Sequence, residues 1–345
     1  MPDTQHINTL NNQLPLVTSN VTSNAKLINS EGSQGLNIIE LAEEYLAKAD
    51  GAFSKNTIKA IAHDTKQFLA WCHNENLTTT PMSADTLASY VDHMAHSYAT
   101  ATVKRHLASI SHLCRGIGLE CPVKSGLVKI AIKRMERVNG TRQKQAAAIG
   151  INEIELILKT TGNRLIDLRD KAMVLTARDL LARRSELVAL KVNDLIFHDD
   201  GTALLTIHNS KTDQSGTGVR MWVSEACVSA LKSWLDAAAI TDGNIFRAVR
   251  KGGHITDRIS ERSVNQRLKD MASRAGISPE QISGHSCRVG MAQDLCAAGM
   301  ELTELMVAGR WVSTKMPAHY ARELQASRGA VAKYYMCNST KNAYA

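Results

Sequence analysis

The chain has 345 residues, 44% of them apolar and only 4% aromatic, with a formal net charge of +8 and a pI near 9.1. That length predicts two domains with mainly aliphatic cores, and the charge suits a nucleic-acid partner or an acidic membrane surface. Seven scattered cysteines without a C-x-x-C pair exclude a disulfide scaffold and a zinc-binding spacing, and predict a reduced, cytoplasmic setting with no metal or other cofactor. No apolar run reaches the roughly 18 residues a membrane span needs, and no signal peptide is evident.

Residues 1–35 are rich in Asn, Ser, Thr and Gln and read as a disordered tail. From Asn37 the apolar period becomes helical. Ile38, Leu41, Tyr45 and Leu46 share one face. Ser54 is an N-cap for a second helix that buries Ile58, Ile61, Phe68, Leu69 and Cys72. Leu87 to Met94, Val103 to Leu113 and Val128 to Met135 mark three more, so residues 36–136 are expected to form an all-α domain. Residues 137–148 are polar and basic and form the expected linker. Its Arg137, Arg142 and Lys144 read equally as a track for a phosphate backbone or as solvated charge.

Residues 149–345 are expected to be mostly helical, with one small antiparallel sheet. Helices are predicted near 152–161 and 165–182. Strands follow at Val192–His198, Ala203–His208 and Arg220–Val223, the first two joined by an Asp-Asp-Gly-Thr turn. Helices return near 225–238, 260–275, 288–298, 301–308, 314–324 and 329–337.

The candidate chemistry lies in this second half. Arg183 and Glu186 are three residues apart, which on a helical turn places them on one face. The guanidinium can fork two phosphate oxygens while the carboxylate steadies neighbouring donors. In isolation the pair reads equally as a surface ion pair, and Arg184 competes for the role. Lys211, in the loop after the second strand, can protonate a leaving alkoxide or be an ordinary loop lysine. His285 and Arg288 stand at i and i+3 near a helix N-terminus, where anions are favoured. Trp311 offers an indole N–H or a core ring, and Tyr320, nine residues later, offers a nucleophilic hydroxyl. Each residue has a bland explanation. Together they supply what breaking a phosphodiester without a metal requires: a nucleophile, donors to the non-bridging oxygens, and an acid for the leaving group.

Taken in this order, Arg183, Lys211, Ser283–Gly290, Ala308–Trp311 and Tyr320 resemble the active-site pattern of tyrosine site-specific recombinases, the phage integrase family. The resemblance covers roughly residues 36–337. Trp311, where many members carry histidine, points to one branch of the family. It implies a two-domain clamp on duplex DNA, with a core-binding domain of the SAM-like type at 36–136 and the catalytic domain at 149–345. It also implies a homotetramer on two target sites with inverted half-sites, 3′-phosphotyrosyl intermediates, a Holliday junction, and independence of ATP and metal. Tyr320, Arg183, Arg288, His285, Lys211 and Trp311 take the catalytic roles, with Glu186 in support. Arg262, Thr57, Lys59, Lys104 and Arg105 are the expected DNA-facing residues, for base reading or for phosphate contact alone. A final helix near 329–337, with Val331, Tyr334 and Tyr335, would dock on a neighbouring protomer. The implied setting is cytoplasmic and DNA-associated, in a bacterium, phage or plasmid. Pro317, just before Tyr320, is a departure that bears on the nucleophile helix.

Type IB topoisomerases and telomere resolvases share this chemistry, and a catalytically idle DNA-binding protein shares the fold. The five-helix N-terminal stretch argues against the first two and the complete constellation against the third. The lack of an acidic cluster argues against a metal-dependent nuclease.

Overall fold

The computed structural model describes residues 38–142, 145–208 and 218–320, together with Gly329, Val331, Ala332, Tyr334 and Tyr335. The chain divides into two compact units, Met1–Gln143 and Lys144–Ala345. The predicted tail at 1–35 lies outside the described residues.

The first unit is helical throughout its described part: α1 (Ile38–Lys48), α2 (Lys55–Asn74), α3 (Ala84–Ala95), α4 (Thr100–Gly116) and α5 (Gly126–Asn139). Serine starts three of these helices for one physical reason: its hydroxyl satisfies an N–H that the first turn leaves unpaired. Ser54 accepts from Thr57 N–H at 3.2 Å, Ser83 from Thr86 N–H at 2.9 Å, and Ser125 from Val128 N–H at 3.3 Å. Phe68, Leu87, Tyr90, Val91, Val103, Ile110, Val128 and Met135 fill the core. Asp64 of α2 is fully buried and pairs with Arg105 at 2.5 Å and Ser109 at 2.7 Å on α4. Helix α5 runs three residues into the stretch read as linker and ends at Gly140, whose φ of +69° suits glycine.

The second unit holds α6 (Ile151–Lys159), α7 (Leu165–Asp179), α8 (Arg184–Ala189), β1 (Leu195–Phe197), β2 (Ala203–Ile207), β3 (Val219–Val223), α9 (Glu225–Ala237), α10 (Glu261–Arg274), α11 (Ser286–Ala297) and α12 (Leu302–Gly309). A further helical turn spans 315–320. The sheet is antiparallel in the order β1-β2-β3, with Leu205 opposite Leu195 and Met221. Ala203, Leu205 and Ile207 alternate inward along β2 and join the core that also takes in α7 and α9. Trp234 is fully buried there, its indole N–H donating to the Ile245 carbonyl at 2.8 Å.

Mainly α with one small antiparallel sheet is the fold class the sequence predicts. Several boundaries differ, three of them instructively. The strand expected from Val192 begins at Leu195, because Asp194 turns back to accept the Lys191 N–H at 2.9 Å and closes a 3-10 turn over Val192–Asp194. The helix expected over 165–182 stops at Asp179, and Leu181 then takes a left-handed conformation with φ +44°. That reversal creates α8 as a separate helix, which the apolar run through Leu180, Leu181 and Ala182 conceals. The helix expected at 288–298 begins two residues earlier, at Ser286.

Candidate active site

Two turns and one helix start build the site, all within the second unit. The first turn, Leu180–Arg183, connects α7 to α8. Arg183 is therefore the residue before α8, not a position inside a helical turn as its spacing suggests. Its contact with Glu186 forms nonetheless, as a cap. One carboxylate oxygen, Oε2, accepts the Arg183 backbone N–H at 2.9 Å, and Oε1 accepts Arg183 Nη1 at 2.6 Å. Glu186 is buried, which by itself raises its pKa. Arg310 and Arg183 outweigh that and hold the carboxyl below the usual range.

The helix start is α11, with His285 at its N-cap position. Gly290 lets it approach the chain entering the unit. A Cβ there would lie 2.0 Å from the Ile149 carbonyl oxygen, and the Ile149 N–H donates to the Ser286 carbonyl at 2.9 Å. Arg178 of α7 pairs with Asp294 of α11 and also reaches the Ile149 carbonyl at 3.2 Å. This bracing sets where Arg288 points. Arg288 is 2% exposed, and its guanidinium donates to the carbonyls of Leu181 and Gly309, both neutral. Burial first, then Arg183 and Arg310, push the Arg288 pKa down to about 10, so it stays cationic at neutral pH. His285 is exposed at the mouth of the site. The protein atoms crowding its ring, then Arg184, Arg288 and Arg183, hold its pKa below the ordinary value. The imidazole is thus neutral near pH 7 and free to accept a proton. Cys287, between His285 and Arg288, is buried in the core with its thiol pushed up to about 12, which removes it as a nucleophile.

The second turn closes α12. Gly309 leaves room for the Trp311 ring, which a Cβ would meet at 2.2 Å. Trp311 lies under the Arg288 guanidinium, 4.7 Å from carbon to ring centroid. Tyr320 packs on Trp311 with ring centroids 5.5 Å apart. Both rings are more than nine-tenths buried, beside Leu181, Val289, Ala292 and Leu305. Pro317 falls in the first turn of the helix at 315–320, where no backbone N–H is needed, so that helix forms across it. Gln293 of α11 donates to the Tyr320 carbonyl at 3.3 Å.

Arg183, Glu186, His285, Arg288, Trp311 and Tyr320 are therefore brought together. Lys211 lies outside the described residues. Arg183 and Arg310 both pair with the single carboxylate of Glu186 while Arg288 donates to carbonyls, which leaves an excess of positive charge suited to an anion with several oxygens. Arg310 escapes sequence reasoning. It lies between two residues that do attract notice, and its contact with Glu186 spans 124 positions. Among the described residues no cluster of three His, Cys, Asp or Glu side chains has the arrangement of a metal site, and no helix is long and apolar enough to cross a membrane.

Of the expected DNA-facing residues, Thr57 and Lys59 are exposed on the first turns of α2, and Arg262 is exposed on the first turn of α10. Lys104 and Arg105, exposed on α4, are already ion-paired, with Glu136 at 2.5 Å and with Asp64.

Comparison with known proteins identifies the family. Residues 149–327 match the phage integrase family model. An integrase/recombinase XerD homologue of Selenomonas ruminantium is 32% identical over 78% of this chain and 82% of its own length. The Cre recombinase of Escherichia phage P1 is 28% identical over 82% of this chain and 88% of its own. Among solved structures, the XerH site-specific recombinase bound to its palindromic difH substrate has a TM-score of 0.60, covering 85% of this chain and 96% of that one at 13% identity. A lambda integrase dimer bound to a core site has a TM-score of 0.56, covering 82% and 76%, also at 13% identity. The chain belongs to the phage integrase family, the tyrosine site-specific recombinases.

Proposed function

We propose that this chain cuts and rejoins duplex DNA through a covalent bond between Tyr320 and a 3′ phosphate. The observation that carries the proposal is the stack of Arg288 on Trp311 on Tyr320 against Leu181, in the turn that leads to Arg183. It supports reading Tyr320 as a nucleophile beside an excess of fixed cations, with both rings buried from water. In the forward step the Tyr320 oxygen attacks phosphorus, the 5′ oxygen leaves, and the phosphodiester is exchanged for a phosphotyrosyl ester of similar energy. No ATP is needed, because the bond is conserved. Arg183 and Arg288 hold the non-bridging oxygens, Trp311 N–H adds a donor, and neutral His285 accepts the tyrosine proton. Lys211 protonates the leaving 5′ oxygen. The cations do for the developing charge what a metal would otherwise do, so the reaction is expected to run in EDTA. Tyr320 packs on its own chain's Trp311, which favours cleavage by each protomer of the site it binds.

Residues 36–136 act in this reading as the core DNA-binding domain and residues 149–345 as the catalytic domain, joined through 137–148. Thr57, Lys59, Lys104, Arg105 and Arg262 face DNA. Four protomers act on two sites with inverted half-sites, through a Holliday junction. The exposure of Val331, Tyr334 and Tyr335, at 72%, 64% and 68%, supports a C-terminal segment that finds its cover on a neighbouring copy. The names of the DNA-bound XerH and lambda integrase structures support the DNA partner.

Strand exchange is the test. Two differently labelled duplexes, enriched from a random library by binding to the protein, are incubated with it. Exchanged flanks and a four-way junction on native gels are expected. Tight binding with neither product would contradict the proposal.

A further inference from the structure

Arg310 has no part in the chemistry above, yet its side chain is among the most constrained in the site. It caps α12 in the left-handed conformation, with φ 53° and ψ 48°, where glycine is the usual occupant. Its side chain is only 6% exposed. Nη1 donates to the Leu180 carbonyl at 2.8 Å, and Nη2 donates to Glu186 Oε2 at 2.7 Å and to the Leu181 carbonyl at 3.5 Å. Its buried Nε finds no partner, so the position carries an unsatisfied donor as well as a disfavoured backbone. Glycine would remove both costs and lose the contacts.

Those contacts act on Arg183. With Oε2 held by Arg310 and by the Arg183 backbone N–H, only Oε1 remains for the Arg183 guanidinium. Arg183 therefore pairs with Glu186 through Nη1 alone and keeps the rest of its donor fork for another anion. Arg310 also works alongside Arg288. Arg288 joins the Leu181 carbonyl to the Gly309 carbonyl, and Arg310, the next residue, joins α12 to the Leu180 carbonyl. Two arginines thereby stitch the turn before Arg183 to the turn that leads through Trp311 to Tyr320.

We propose that Arg310 is a positioning residue for strand cleavage: by holding Glu186 Oε2 and the Leu180 carbonyl, it keeps the Arg183 fork turned toward the phosphate and sets the segment leading to Tyr320 in register with it. This rests on the strand-transfer reading. It predicts a loss in the cleavage step rather than in DNA binding. A lysine cannot replace it, because one ammonium lacks the planar fork that spans a carbonyl and a carboxylate.

The experiment uses the full chain and a library-enriched duplex nicked at successive positions, so that cleaved DNA stays covalently attached. Single-turnover cleavage at saturating protein and DNA affinity are measured for wild type, Arg310→Gly and Arg310→Lys. Glycine keeps the left-handed turn and deletes only the side chain. Both variants should bind DNA as wild type does and cleave about 10- to 100-fold more slowly. Methylguanidinium added in solution should restore part of the Arg310→Gly rate and leave wild type unchanged. Wild-type cleavage by either variant would overturn the proposal, and so would equal losses in binding and cleavage without rescue. Should Arg310→Gly fail to melt cooperatively, Arg310→Lys decides on the same criteria. Failure of wild type to trap DNA would sink the strand-transfer reading and this inference with it. Trapping by wild type with indifferent Arg310 variants would sink this inference alone.

Discussion

Replacing Glu186 by glutamine changes one atom type at the centre of the site, and the structure gives the size of the effect. The carboxylate is 1% exposed and accepts from Arg183 N–H, Arg183 Nη1 and Arg310 Nη2 at 2.9, 2.6 and 2.7 Å. Glutamine keeps one acceptor oxygen and must turn its NH₂ toward a donor. It also leaves Arg183, Arg288 and Arg310 facing one another without an anion. Removing one partner from a buried ion pair costs about 3–5 kcal/mol, and a lost charge-assisted hydrogen bond alone costs roughly 1.5–3 kcal/mol. The expected destabilisation at pH 7 is therefore about 3–5 kcal/mol, a fall in the melting temperature of the second unit of roughly 6–20 °C. Acid should erase the difference. The folded-state pKa of Glu186 is lowered, so its contribution is present above the unfolded value of 4.5 and is lost as pH falls through the folded value. Circular-dichroism melts of wild type and Glu186→Gln across that range are the assay. A neutral-pH difference below about 1 kcal/mol, the scale of an exposed ion pair, or a gap that widens on acidification, would refute the reasoning.

Three further expectations follow from the same contacts. In the free protein His285 should titrate with a midpoint below 6.5 by NMR, and the acid limb of kcat/KM for cleavage, which reports the free protein, should lie below 6.5 as well. A midpoint at or above that value would mean that neither the burial of the ring nor the neighbouring arginines depress it. Because that pKa is lowered, the stability tied to neutral His285 is present above 6.5 and declines as pH drops toward the folded value. Gly290→Ala drives a methyl to 2.0 Å from the Ile149 carbonyl oxygen and should cost about 1–3 kcal/mol in urea unfolding; an unchanged midpoint would show that the entering chain is not held against α11. Arg262→Ala should relax sequence preference at one position by about 1–3 kcal/mol, whereas Lys59→Ala should weaken all duplexes alike and flatten the salt dependence. Binding measured against a panel of duplexes at several salt concentrations separates the two, and a uniform effect of Arg262→Ala would reduce it to a phosphate contact.

Much of the fold was legible in the sequence because the helices bury regular faces. Phe68 and Cys72 on α2, Leu87, Tyr90, Val91 and Met94 on α3, and Val103, Leu107 and Ile110 on α4 all face one core, as their spacing predicts. Ser54 was readable as a cap because a serine before an apolar period has one common use. Backbone reversals were not legible. Nothing in Leu180, Leu181 and Ala182 announces a positive φ, so the helix reads on to 182 and Arg183 reads as a position on a helical turn. Chemistry in chain order was readable for His285, Arg288, Trp311 and Tyr320, which cluster within 36 positions. Contacts set only by the tertiary fold were not: Arg310 with Glu186, and Arg178 with Asp294, join residues more than 100 positions apart, and no local spacing links either pair. The ion pairs of Lys104 and Arg105 were hidden for the same reason.

Tyr320 is the proposed nucleophile, on which the whole mechanism rests. A library-enriched duplex carrying a nick is incubated with the protein in EDTA, denatured, and resolved by gel, and the attachment residue is mapped by mass spectrometry of the trapped peptide. Wild type is predicted to form a covalent complex through Tyr320, and Tyr320→Phe to bind the same duplex and form none. Attachment through another residue, or trapping only when Mg²⁺ is supplied, would contradict the account.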